Sequence, residues 1–252
     1  MSSPSSRSFS ASHLDFPGFP PEIIEEGQSL GEHIMGATVV AWLAGEPLNH
    51  WGERWLHGGT WSLRFRRHLT VGDHLTLKVT TSPDEQLYSL TDDKGNLCAD
   101  GAAHLLAPED WPTAPHGPTP LPTSRLDPAT QLVPGADLGS VSLTFDTTRH
   151  SSFFANLDAD DPWRRRTDTH PAWLISTSNA LVRRSIAFER GLFAQAGVTL
   201  FLLEPIPSGS QLVVQGTVIE QFSKRPREFV SLRFTLSVGD VLHAIVDQTI
   251  AY

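Results

Sequence analysis

The sequence predicts an α+β protein made of two similar halves in tandem, each a helix followed by three or four antiparallel strands. The first observation behind this prediction is a repeat in the 252-residue chain, in which histidine, apolar and turn residues recur at a constant offset of 137. The second is that apolar spacing within each copy changes from a helical to a strand period. The first copy contains His33, Leu63, Phe65, Leu69, Gly72, Leu75 and Leu77, which correspond to His170, Leu200, Leu202, Ile206, Gly209, Leu212 and Val214. Because the unit is longer than the roughly 20–50 residues of a solenoid repeat, each copy must be a whole small fold.

The helix of each copy is expected to be enclosed by protein. In the first copy the segment 34–44 is apolar on all sides, which is typical of a buried helix. Gly45 and Pro47 follow it and should end it. The corresponding helix of the second copy is predicted over residues 172–187.

Strands follow each helix. Trp61, Leu63 and Phe65 alternate with polar residues, which indicates a half-buried strand. Glycine-containing turns near Gly72 and Gly95 suit the tight connections of a meander. The predicted strands cover residues 61–65, 75–79, 87–90 and 97–106 in the first copy, and 141–145, 198–203, 212–222, 229–236 and 241–250 in the second.

A proline-rich segment separates the two copies. Residues 107–134 are rich in proline with threonine, histidine and glycine between, a composition that favours an extended spacer rather than a core. We therefore expect an N-terminal domain over residues 14–110, a linker over 111–137 and a C-terminal domain over 138–252. The first dozen residues, small and polar, are expected to be disordered, with structure beginning near Phe16 to Pro21.

Composition narrows the class of function. A formal net charge of −9 and a pI near 5.6 disfavour a general nucleic-acid binder. The single cysteine, Cys98, excludes an internal disulfide and reads as a packed thiol. No apolar run resembles a signal peptide or membrane span, so we expect a cytoplasmic protein with no membrane partner. No metal-ligand spacing or glycine-rich phosphate loop is evident, and we expect no metal or cofactor.

The apolar helix and the meander with the turn Pro205-Ile206-Pro207-Ser208-Gly209 resemble the hotdog fold. Two copies in one chain resemble a double hotdog, as in MaoC-like enoyl-thioester hydratases and dehydratases and in some acyl-thioesterases. The resemblance implies that each sheet wraps around its helix. It also implies, as substrate, an acyl or enoyl thioester of coenzyme A or of an acyl carrier protein, or a polyketide-like molecule. A monomer with an internal pair of hotdogs, or a homodimer of such chains, would both fit.

MaoC-like hydratases carry a Phe-Ala-x-Leu segment leading into Asp-x-Asn-Pro-x-His, and residues 154–165 are similar to it. When the segments are aligned on Phe154-Ala155, the family aspartate falls on Asp160; when they are aligned on Pro162, it falls on Ala159. The family histidine falls on Arg165 or Arg164. Arginine stays charged and cannot shuttle a proton, although it could bind a carboxylate or phosphate of the substrate.

His170 is then the best remaining acid or base. Asp158, Asp160 and Asp161 are close to it in sequence, and a carboxylate partner would raise its pKa and fix its tautomer. The alternative is that His170 merely starts the helix with Pro171.

Substrate contacts are also expected elsewhere. His57 lies beside glycines that allow a close approach to the backbone, and Trp173 lies at the helix start. The resemblance further implies that the amides of residues 172–174 polarise the thioester carbonyl.

Three functions remain open on the sequence. The leading hypothesis is a hydratase or dehydratase in which Asp160 and His170 handle the protons. The second is a thioesterase that uses Asp158 or Asp160 to activate water. The third is an eroded hotdog that binds or cyclises a polyketide-like ligand, with tryptophans lining an apolar pocket; burial in the core is the commoner use of such residues. The tryptophans concerned are Trp42, Trp51, Trp55, Trp61, Trp163 and Trp173.

Overall fold

The computed structural model describes residues 3–12, 33–112, 118–146, 151–188 and 193–252. Within these ranges ten strands form one antiparallel sheet, in the order β1-β3-β4-β5-β2-β7-β10-β9-β8-β6. The strands of the first half are β1 (Ser3–Ser10), β2 (Gly59–Phe65), β3 (His74–Thr81), β4 (Glu85–Asp92) and β5 (Leu97–Leu105). Those of the second half are β6 (Asp137–Thr144), β7 (Ala194–Leu202), β8 (Gln211–Lys224), β9 (Arg227–Val238) and β10 (Val241–Ala251).

The two halves meet where β2 pairs with β7. Ser62 lies directly opposite Thr199 in this pair, and their hydroxyl oxygens are 2.9 Å apart. The two residues are also separated by 137 positions in sequence, which is the offset of the repeat. A pseudo-twofold axis therefore passes between Ser62 and Thr199, and each half contributes five strands in the same order outward from it.

Five helices are present in the described ranges: α1 (Gly36–Leu43), α2 (Gly45–Trp51), α3 (Glu53–Leu56), α4 (Ser151–Ala155) and α5 (Pro171–Ser185). The central helix α5 packs on β6, β8 and β10, and α1 packs against α5. Most side chains of both helices are buried, so the prediction of two enclosed helices is confirmed. The central helices are α1 and α5, which the repeat places at equivalent positions.

The N-terminal residues differ from the prediction of disorder. Ser3–Ser10 forms β1 and pairs along its whole length with β3. Backbone hydrogen bonds do not depend on side-chain type, so a serine-rich segment can form an edge strand. Phe9 anchors it by an edge-on contact with Trp42, with ring centroids 5.2 Å apart. The predicted start of structure near Phe16 lies outside the described residues.

The proline-rich connection is more than a spacer. Leu132 is fully buried in the core. Leu126 donates its N–H to the carbonyl of Ser185 and accepts from the N–H of Ala187, at distances of 2.7 and 2.9 Å. This part of the connection is thus tied to the end of α5. The domain limits 14–110, 111–137 and 138–252 stay a prediction.

Candidate active site at the start of the first central helix

A cavity of about 570 Å³ opens at the N-terminal end of α1 and is lined by both halves of the chain. The first half contributes the start of α1 with parts of β2 and β5, and the second contributes α5, β7 and the end of β10. The polar and titratable residues in its wall are His33, Arg67, His68, Cys98, Asn179, Arg183, Gln195, Arg227 and Tyr252.

The first turn of α1, which begins at this cavity, has free backbone amides. Thr38 and Val39 donate their N–H groups to the carbonyl of Met35, and no side chain caps the helix. Across the described residues, the amides of Gly36 and Ala37 have no hydrogen-bond acceptor. Unpaired N–H groups and the helix dipole together favour negative charge at this point.

Two side-chain amide oxygens are buried at the same cavity. Asn179 Oδ1 and Gln195 Oε1 have no hydrogen-bond donor among the described residues. Gln195 Oε1 comes so close to Gly36 that a β-carbon at Gly36 would overlap it, and this packing requires glycine. A buried acceptor without a donor costs about 1–3 kcal/mol, so both oxygens suit a ligand or water that carries N–H or O–H groups.

The permanently charged side chains in the described cavity wall are all arginines. Arg67, Arg183 and Arg227 line it together with two histidines, while the described lining includes no aspartate or glutamate. The chain as a whole has 28 acidic residues against 19 lysines and arginines, so the charge is strongly segregated. Arg67 also pairs with Asp92, outside the lining. This distribution suits an anionic ligand.

The imidazoles of His33 and His68 lie close together at the cavity, with ring centroids 5.8 Å apart. Burial lowers the pKa of His68, and the nearby His33 and Arg227 lower it further. His68 is therefore unprotonated at neutral pH and can accept a proton. Cys98 is buried in the wall, as expected, and burial raises the pKa of its thiol, so it is not an activated nucleophile.

His170, the residue expected to handle protons, lies away from the cavity. It is fully buried, and its Nδ1 accepts a hydrogen bond of 3.1 Å from the Ala172 N–H at the start of α5. Its ring contacts those of Phe153 and Trp163, at centroid distances of 5.0 and 4.8 Å. Burial lowers its pKa to about 3, so it stays neutral. Its position is that of a helix cap, which was the alternative interpretation.

The backbone amides of Ala172 and Trp173 at the start of α5 are also hydrogen-bonded within the protein. Ala172 donates to the His170 ring, and Trp173 donates to the His170 carbonyl at 2.9 Å. The expected role of residues 172–174 in polarising a carbonyl therefore has no support in this geometry. The Trp173 side chain packs edge-on against Phe145 in the core, with centroids 5.1 Å apart, rather than lining the cavity.

The remaining predicted residues lie on the surface. Asp158, Asp160, Arg164 and Arg165 are exposed, and none of them lines the cavity. Asp158 forms an ion pair with Arg7 of β1. Arg164 donates to a main-chain carbonyl, that of Leu157, at 3.5 Å.

His57 is the last predicted substrate contact. Its Nδ1 lies 3.1 Å from Glu204 Oε2, and both side chains are about half exposed. It too lies outside the cavity lining.

Asp161 is the perturbed carboxyl of this region. It is half-buried, and it accepts a hydrogen bond of 2.8 Å from the Trp163 N–H at the start of the 3-10 helix Pro162–Arg165. Burial raises its pKa to about 6, against the opposing effect of that hydrogen bond and of Arg7. The segment that resembles the hydratase motif is thus a capped turn that contacts α2 and α4.

The sequence reasoning missed Gly36, Asn179 and Gln195. The repeat itself contained a signal for the first, because the residue equivalent to Gly36 at the start of α5 is Trp173. The glycine leaves room for the Gln195 oxygen beside one helix start, whereas the equivalent indole beside the other packs in the core. The sequence contains no such signal for Asn179 and Gln195, because these side chains reach the start of α1 only when the two halves of the chain pair.

Comparison with known proteins gives a fold and no closer relative. No family model matches the chain, and no curated protein matches its sequence. Among solved structures, a conserved protein of Mycobacterium tuberculosis with a double hotdog fold matches with a TM-score of 0.57 and 12% identity, over 98% of this chain and 96% of that one. The chain has a double hotdog fold.

Two other solved structures that match this double hotdog chain are named as enzymes. A MaoC-like dehydratase matches with a TM-score of 0.55 and 10% identity, over 97% of each chain. The 12:0-ACP thioesterase of Umbellularia californica matches with a TM-score of 0.54 and 11% identity, over 99% of this chain and 94% of that one. These identities establish the shared fold alone. In the ranges the structure describes, no helix is long and apolar enough to span a membrane, and no group of three or more candidate ligands could hold a metal ion.

Proposed function

We propose that this double hotdog protein is an enzyme of acyl thioesters, with its active site in the cavity at the start of α1. The observation that carries the proposal is the pair of free amides, of Gly36 and Ala37, in the first turn of α1, which begins at the cavity with the lining residue Gly36. A thioester carbonyl oxygen placed there would accept hydrogen bonds from these amides. The same bonds and the helix dipole would stabilise the negative charge that develops on this oxygen when the carbonyl carbon is attacked.

Hydrolysis is the reaction that this geometry supports best. Asn179 Oδ1 and Gln195 Oε1 are both acceptors, so one of them can accept one hydrogen of a water whose second hydrogen is directed to His68, and a lone pair then points outward. That lone pair forms the bond to the carbonyl carbon, the C–S bond breaks, and the leaving sulfur takes up a proton. The unprotonated His68 in the same wall can accept the proton that the water loses. The names of the matched structures, which include a thioesterase, support this class of reaction.

Hydration of an enoyl thioester is the second candidate. Its support is the pair of imidazoles, because adding water across a conjugated double bond needs one group to take a proton and another to deliver one. The matched MaoC-like dehydratase is consistent with such a reaction. The carboxylate first expected to take part, Asp160, is exposed and outside the cavity.

The carrier would bind at the cationic mouth. Arg67, Arg183 and Arg227 suit phosphate groups, which both coenzyme A and the phosphopantetheine arm of a carrier protein possess. A polyketide-like ligand that is bound without turnover remains the third hypothesis.

The test is to incubate the purified protein with crotonyl, longer enoyl and saturated acyl thioesters of coenzyme A. Release of free thiol and loss of the enoyl absorbance are followed in parallel. We expect thiol release that is lost in Gln195→Ala and retained in the control Asp160→Asn. Absorbance loss without thiol would instead support hydration. Silence in both channels, or equal activity in Gln195→Ala and the parent, would overturn the proposal.

A further inference from the structure

We propose that Gln248 is a positioning residue, which holds the side-chain amide of Gln195 with its oxygen toward the cavity. The inference rests on the proposed function and deepens it, because it concerns a residue that does not line the cavity itself. It follows from the direction of two hydrogen bonds and from one irregularity in the sheet.

The first hydrogen bond orients Gln248. Its side chain is 1% exposed, and its Nε2 lies 3.4 Å from the main-chain carbonyl oxygen of Ile175 in α5. A carbonyl oxygen can only accept, so the NH₂ end of the Gln248 amide must face it. The oxygen end of Gln248 is thereby directed the other way, toward β7.

The second hydrogen bond orients Gln195. Gln248 Oε1 can only accept, so it requires the NH₂ group of Gln195, whose Nε2 lies 3.1 Å away. The remaining end of the Gln195 amide, its oxygen, is then turned toward Gly36 and the cavity. The main-chain carbonyl of Ile175 thus orients the Gln248 amide, and Gln248 in turn orients the Gln195 amide. As a result, the cavity wall presents a hydrogen-bond acceptor rather than a donor.

A β-bulge brings Gln195 within reach of Gln248, so that the carbonyl of Ile175 and the two glutamine amides form a hydrogen-bonded relay. Thr249 pairs with Gly197, but Ile250 pairs with Gln195, so Ala196 is an extra residue in β7. Because side chains alternate between the faces of a strand, the extra residue moves Gln195 to the face of its partner Ile250. Ile250 and Gln248 are both buried on that face, which is where Gln195 meets Gln248.

The direction of the Gln195 amide matters for the reaction. A water bound by two acceptors keeps its lone pair free for attack, whereas a donor at the same point would hydrogen-bond to that lone pair and block it. Without the hydrogen bond to Gln248, the side-chain amide of Gln195 could rotate by 180° and would present its NH₂ group to the cavity part of the time. Substrate would still bind, and the chemical step would slow.

The decisive variant is Gln248→Leu, which keeps the approximate size of the side chain and removes both hydrogen bonds. We expect kcat to fall about tenfold with KM within about twofold of the parent, as befits the loss of one orienting hydrogen bond. The matched control is Gln215→Leu, a buried glutamine of β8 outside the cavity lining, which should leave kcat unchanged. A drop in kcat that is equal in both variants would mean a general effect of removing a buried amide and would overturn the proposal.

A second measurement does not depend on turnover. In the ¹⁵N-labelled protein, the side-chain NH₂ of Gln195, assigned from its loss in Gln195→Ala, should be protected from hydrogen exchange. This protection should disappear in Gln248→Leu and persist in Gln215→Leu. If Gln195 is unprotected in the parent, or equally protected in Gln248→Leu, the relay is refuted whether or not any thioester is turned over. Protection in a protein that processes no thioester would refute the proposed function and leave the relay intact as a structural finding.

Discussion

Replacing His170 by asparagine should remove a defined part of the acid sensitivity of this protein. His170 is neutral and fully buried, with a pKa of about 3 in the folded chain against an ordinary value of 6.5. Because the folded pKa is depressed, the unfolded chain binds a proton that the folded chain does not. The contribution of His170 to stability is therefore fully present above pH 6.5 and is lost as the pH falls from 6.5 toward 3.

The size of the effect at pH 5 depends little on the exact folded pKa. As long as that pKa lies well below 5, only the unfolded chain is protonated at pH 5. At about 1.4 kcal/mol for each pH unit between 6.5 and 5, the folded state loses about 2 kcal/mol relative to pH 8. Asparagine has no proton to gain, yet its side-chain oxygen can accept from the Ala172 N–H as His170 Nδ1 does.

The assay is urea unfolding of the parent and of His170→Asn at pH 5 and pH 8. The parent should lose about 2 kcal/mol more than the variant between the two pH values, since the other titrating groups contribute equally to both. His33→Asn is the matched control, because His33 is the equivalent residue of the first copy and is exposed. An equal pH dependence in the parent and His170→Asn would refute the burial of a neutral imidazole.

Three further changes test the site and its surroundings. Gly36→Ala should lower kcat/KM for thiol release by about tenfold or more, because the added methyl group displaces the Gln195 oxygen from the helix start; far-ultraviolet circular dichroism should stay unchanged. Arg227→Ala should raise the KM for a coenzyme A thioester, and this difference should shrink as salt is added, as steady-state kinetics at two ionic strengths would reveal. Asp161→Asn should stabilise the protein by about 1–2 kcal/mol at pH 7.5 and not at pH 4, as measured by urea unfolding. The reason is that a carboxyl whose folded pKa is raised to about 6 contributes stability below pH 4, and this stability is lost as the pH rises through 6.

Much of the fold could be predicted because the spacing of apolar residues along the chain differs between its buried helices and its strands. The all-round apolar helix appears as Gly36–Leu43, and the alternating segment around Leu63 appears as Gly59–Phe65. Strand β1 escaped prediction because its residues are mostly small and polar, and its partner strand β3 lies far along the chain. Its stability comes from backbone pairing, which leaves little trace in composition.

The candidate site was harder to predict, for physical reasons. Asn179 lies in a helix and Gln195 in a strand of the second half, and both line the cavity at the helix start of the first half. The docking of the halves brings both to this cavity, and the bulge at Ala196 places Gln195 beside Gly36. The motif that attracted attention around Asp160 has chemically suitable residues, but its carboxylates face solvent or cap a turn.

The hydroxyl pair of Ser62 and Thr199 on the pseudo-twofold axis has a consequence for stoichiometry. In a symmetric dimer of two identical chains, a residue on the axis would face itself, and every other feature would occur twice. Here the two copies belong to one chain and can differ, as Gly36 and Trp173 do. The axis relates a helix start at a cavity to one that is closed by its own cap, so the proposed site would bind one ligand per chain, where a dimer of identical subunits would bind two.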